Sequence, residues 1–136
     1  MVKAEDLFSL KGRIAVITGG AGLLGVKHAE VIAEAGGIPV LADINLAKAE
    51  SESTRIAKRF NVLSLGIQVD ITDRNEIENI ARIIKEKFGK VDILINNAAR
   101  NPKVETGNTT WSRFENFSLD DWDQDLAVGL TGTFLC

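Results

Sequence analysis

Residues 14–25 read IAVITGGAGLLG, a short apolar run, then Thr18, then Gly19, Gly20, Gly22 and Gly25 with Leu23 and Leu24 between the last two. Glycines placed where a buried strand turns into a helix let the backbone approach a pyrophosphate. The charge of that group then rests on the free N–H groups and the positive dipole end of the helix. Gly20-x-Gly22-x-x-Gly25 has the general dinucleotide spacing and Gly19-x-x-Gly22-x-x-Gly25 a related one. A glycine-rich turn that merely joins strand to helix has the same composition, so the weight falls on context: a strand before, a helix after and an acid closing the next strand. No Gly-Lys-Ser/Thr follows the turn, which excludes a P-loop.

The acid is Asp43, eighteen residues beyond Gly25 at the tip of the second expected strand. A carboxylate there can accept hydrogen bonds from both adenosine ribose hydroxyls and repels a 2′-phosphate. Its neighbours Ile44 and Asn45 supply no cation for such a phosphate. The expected cofactor is therefore NAD rather than NADP. A solvated aspartate capping the next helix is the plainer alternative for Asp43. An S-adenosylmethionine site uses a similar loop and acid, but it needs an acidic lead-in where this chain has Ile17-Thr18.

These residues need a frame. Residues 14–17 are expected as a buried strand, 24–35 as a helix with Val31 and Ile32 inward, and 38–42 as a second strand ending at Asp43. A charged helix over 46–60 and a third strand over 62–69, ending at Asp70, follow. Asp73 and Glu76 have capping-box spacing and open a helix whose stripe is Ile77, Ile80, Ala81, Ile84 and Phe88, stopped by Gly89. Residues 91–95 form the fourth strand. Such alternation means βαβ units, hence an α/β, doubly wound (Rossmann) parallel sheet with helices on both faces and strand order 3-2-1-4. Residues 96–117 show no periodicity; Ser118 and Asp121 then restart a helix with Trp122, Leu126, Leu130 and Phe134 at four-residue spacing. One domain over 1–136, interrupted after the fourth strand and that helix, is the expected organisation.

Asn96-Asn97-Ala98-Ala99 follows directly on the fourth strand, VDILI. With this segment the chain resembles the short-chain dehydrogenase/reductase family, which carries Thr-Gly-x-x-x-Gly-x-Gly after strand one and Asn-Asn-Ala-Gly after strand four. The resemblance covers the whole chain. It implies that Asn97 and Ala98 border the cofactor ribose and central sheet, and that Asp70 with Ile71 meets the adenine. Two positions depart from the main pattern: Leu23 stands where its turn has glycine, and Gly129 where its Asn-Leu-Thr-Gly helix has asparagine. The look of TGGAGLLG, NNAAR and AVGLTGTF is similar to members linked to bacterial surface-sugar synthesis. Lys103, Glu105, Trp111, Arg113 and Phe114 make a mixture suited to a polar, sugar-like substrate, or to an ordered loop packed on a subunit partner.

The family acts on an alcohol or ketone through a tyrosine, a lysine and a serine placed after the fourth strand. The chain ends at Cys136 and contains no tyrosine, so no catalytic residue of that set is assigned here. The expected function is the cofactor-binding portion of an NAD-dependent oxidoreductase, inactive alone. A non-catalytic dinucleotide-binding or assembly module is the alternative, and a Tyr-x-x-x-Lys encoded downstream of Cys136 would separate the two. His28, the single histidine, is expected on a helix surface, and no metal-ligand cluster is evident. A net charge of −3 with interleaved signs argues against nucleic acid. No apolar run approaches a membrane span, and one cysteine with no secretory signal fits a cytoplasmic setting. Homo-oligomerisation is expected from the uncovered fourth strand and the apolar face of the last helix.

Overall fold

The computed structural model describes residues 7–100 and 114–136. The elements are β1 (Ile14–Thr18), α1 (Leu23–Glu34), β2 (Ile38–Asp43), α2 (Leu46–Phe60), β3 (Leu65–Gln68), α3 (Arg74–Phe88), β4 (Ile93–Ile95), a 3₁₀ turn (Phe114–Asn116) and α4 (Leu119–Leu126). The last helix continues through a π-helical stretch, Ala127–Gly132, into a final turn, Thr133–Leu135. All strand pairs are parallel, in the order β3-β2-β1-β4, as a doubly wound sheet requires.

Every residue of β1 is buried, because the strand has neighbours on both edges and helices over both faces. Side chains alternate across the sheet, so Val40 and Ala42 join Ile77, Ile80 and Ile84 of α3 on one face. Leu41 points the other way, with Ala29 and Ala33 of α1 and Ala49 and Ile56 of α2. The alanines let α1 and α2 lie close on the strands.

Local chemistry sets the differences from expectation. β4 begins at Ile93 rather than residue 91, since Asp92 turns its side chain to the sheet: Oδ2 accepts from Ile14 N at 2.9 Å. β3 is confined to Leu65–Gln68, because α2 ends on Asn61 in the left-handed region (φ 53°) and the chain has to cross before it pairs with β2. Val31 is exposed, not inward; the inner stripe of α1 is Gly25, Ala29, Ile32 and Ala33. Ala81 is also exposed, beside a narrower stripe of Ile77, Ile80 and Ile84. The capping box is opened out. Asp73 accepts from Asn75 N at 2.8 Å, and Glu76 reaches past it to accept from Asp70 N at 2.6 Å.

The Ile14 amide, with Arg13 and Lys90, holds the Asp92 carboxyl well below the usual carboxylate range. A depressed native pKa gives stability that is present above the unfolded value and lost as pH falls below it. Asp92→Asn should therefore lower the melting temperature at pH 7, and the gap to wild type should close as the pH falls below about 4. Thermal melts across that range check it; a gap independent of pH would contradict it.

Candidate functional site

A crevice of about 640 Å³ opens at the C-terminal ends of the strands, over β1 where the chain connections diverge to either side. Gly19 has φ +61°, and a Cβ on it would lie 2.9 Å from Ala98 Cα. A Cβ on Gly25 would run into the Gly19 carbonyl oxygen. The loop thus closes so tightly that the helix start stands open to the crevice. Gly22 caps α1 without a side-chain hydrogen bond, and the first helical bond runs from Val26 N to Gly22 O at 3.0 Å. The amides of Leu23, Leu24 and Gly25 therefore precede the helix's own ladder, the arrangement that receives an anion.

Thr18 holds this loop to the end of β4. Its Oγ1 accepts from Asn97 N at 3.0 Å and Ala98 N at 3.1 Å, and donates to Ile95 O at 3.4 Å. Asn97 completes the tie, its Nδ2 donating to Thr18 O at 2.9 Å and Gly19 O at 3.2 Å. Thr18 is 1% exposed, so it stands behind the crevice wall, as do Gly20 and Gly25, and the three shape the wall rather than line it. Thr18→Val keeps the shape and strands two part-buried N–H groups. It should reduce stability by roughly 2–4 kcal/mol, measured by urea unfolding; a variant as stable as wild type would contradict the tie.

Asp43 is oriented by two backbone donors. Oδ2 accepts from Ala21 N and Oδ1 from Asn45 N, both at 3.0 Å, leaving lone pairs on each oxygen for a ligand hydroxyl. The helix-capping alternative fails, because α2 is capped by Asn45, which accepts from Lys48 N at 3.0 Å. Asp70 is held by Thr72, whose N and Oγ1 donate to Oδ1 at 2.9 and 2.7 Å.

The crevice gathers Gly19, Gly22, Leu23 and Leu24 from the loop, and Asp43 with Ile44 from the tip of β2. It also takes Asp70 and Ile71 from beyond β3, and Asn97, Ala98 and Ala99 from beyond β4. Sequence reasoning missed Ala42, Val69, Arg100 and Val128. Ala42 and Val69 were findable as the residues just before each acid. Val128 carried no signal, because it arrives through α4. Gly132 brings that helix in: a Cβ there would be 2.7 Å from Ile71 Cδ1. Gly129 is exposed. His28 is exposed on α1. Lys103, Glu105, Trp111 and Arg113 lie outside the described residues. Among the described residues no helix is long and apolar enough to cross a membrane.

The short chain dehydrogenase family profile matches residues 13–136. D-threitol dehydrogenase of Mycolicibacterium smegmatis is 31% identical over 99% of this chain and 50% of its own length. NADP-dependent mannitol dehydrogenase of Hypocrea jecorina is 32% identical over 96% of this chain and 47% of its own. The crystal structure of 3-ketoacyl-(acyl-carrier-protein) reductase from Brucella melitensis, complexed with NADH, superposes with a TM-score of 0.79 at 29% identity, covering 93% of this chain and 48% of that one. The chain spans about half the length of the curated relatives it matches.

Proposed function

As the chain belongs to the short-chain dehydrogenase family, we propose that it is the NAD-binding portion of an oxidoreductase that interconverts an alcohol and a ketone on a neutral, sugar-like substrate. The observation that carries NAD over NADP is the Asp43 carboxylate, pinned by Ala21 N and Asn45 N at the crevice edge. In this reading the amides of Leu23 and Leu24 hold the pyrophosphate and Asp43 holds the adenosine ribose. Asp70 and Ile71 border the adenine, and Ala98 and Ala99 border the second ribose. Bound NAD would supply hydride transfer. Lys48 lines the neighbouring groove with Ala21, Gly22 and Leu23, whereas the crevice that holds Asp43 is lined by no lysine.

The polyol names of the threitol and mannitol relatives support a sugar-like substrate. So does Arg100, whose charge is answered by Asp121 and Asp125, leaving no net cation there to attract an acidic substrate. A reducing, cytoplasmic setting fits the single cysteine. With no tyrosine, the polypeptide should bind NADH without turning over polyols. A fluorescence titration with NADH, run beside a polyol oxidation assay, tests the pair of expectations: saturable binding with no turnover supports the reading, and no binding overturns it.

The chain should also self-associate. Leu94 on β4 is 41% exposed, and Trp122, Leu126, Leu130 and Phe134 present an apolar face to solvent. Light scattering should report dimers or larger species, and a monodisperse monomer would contradict this.

A further inference from the structure

Among the described residues, almost nothing apolar fixes α4 itself to the body of the protein. It has no buried residue, and Leu119, Trp122 and Leu126 are all exposed. Asp121 and Asp125, one turn apart on one face, both reach back to Arg100 in the segment beyond β4. Arg100 Nη2 donates to Asp121 Oδ1 at 2.6 Å and Nη1 to Asp125 Oδ1 at 3.2 Å. Ser118 Oγ donates to Asp121 Oδ2 at 2.7 Å, which holds that carboxylate at the helix start. A planar fork can engage two carboxylates at once; a lysine ammonium is a single point of charge. Val128, just beyond Asp125, lines the crevice together with Arg100 and packs against the β1–α3 core.

We propose that Arg100 is a positioning residue: its fork latches α4 to the segment that follows β4 and so sets Val128 as part of the crevice wall. The effect on a dinucleotide rests on the function proposed above, whereas the latch does not. Hydrogen exchange over residues 119–132, measured without any ligand, reads the latch alone. Arg100→Ala should speed that exchange by about tenfold, the scale of a charged hydrogen bond, with exchange in β1 and β2 unchanged. Asp121→Asn/Asp125→Asn should do the same, and adding Arg100→Ala to it should bring no further loss. Arg100→Lys should recover part of the protection.

The same variants should weaken NADH several-fold. Exchange over 119–132 equal to wild type in both Arg100→Ala and the double aspartate variant overturns the latch. If wild type binds no NADH, the cofactor reading fails while the exchange result still decides the latch. Faster exchange with unchanged NADH affinity overturns the claim that the latch sets the crevice wall.

Discussion

Gly25→Val should remove NADH binding from a protein that still contains its sheet. A Cβ at this position collides with the Gly19 carbonyl oxygen, and the two further branches of valine add bulk that χ1 rotation cannot move off that Cβ. The loop has to lift off α1, and the amides of Leu23 and Leu24 lose their common focus. A weakening of about a hundredfold or more, or roughly 2.7 kcal/mol, is expected. Circular dichroism should retain helix and strand at a lower melting temperature. Gly19→Ala is the milder companion, since it places a Cβ 2.9 Å from Ala98 Cα at a backbone φ of +61°. Wild-type NADH affinity in folded Gly25→Val, read by fluorescence titration, would mean that the pyrophosphate does not sit on α1.

Asp43→Ala should collapse the preference for NADH over NADPH. The substitution deletes the acceptor for the ribose hydroxyls and the charge that repels a 2′-phosphate. It also frees Ala21 N and Asn45 N, two donors that could then face the phosphate. NADH should weaken about tenfold and NADPH should gain, because a lost charged hydrogen bond and a lost repulsion act in opposite directions on the two ligands. An unchanged NADH/NADPH ratio would show that Asp43 serves only to tie the loop to the β2–α2 turn.

The alternation of strands and helices was legible because burial on both faces leaves apolar runs, and helices leave stripes. It failed in detail where a polar side chain took over a backbone role. Asp92 binds the Ile14 amide and shortens β4, and Glu76 bonds Asp70 N instead of closing a box at Asp73. Val31 and Ala81 misled because the inward stripes of α1 and α3 are narrower than their apolar content. At the site, glycines and strand-end acids could be read since their demand is local: a close approach, or a carboxylate at a fixed tip. The role of Thr18 was not readable. Its hydroxyl works through residues about eighty positions away, behind the wall rather than in it. Arg100 was hidden for the same reason, its partners being 21 and 25 residues distant.

The most direct test of the central claim is a crystal structure of the protein grown with NADH. The adenosine ribose should place its hydroxyls on the Asp43 carboxylate, with the pyrophosphate on the amides of Leu23 and Leu24 and the adenine beside Ile71. A dinucleotide whose ribose turns away from Asp43, or one seated in the groove between α1 and α2, would contradict the account.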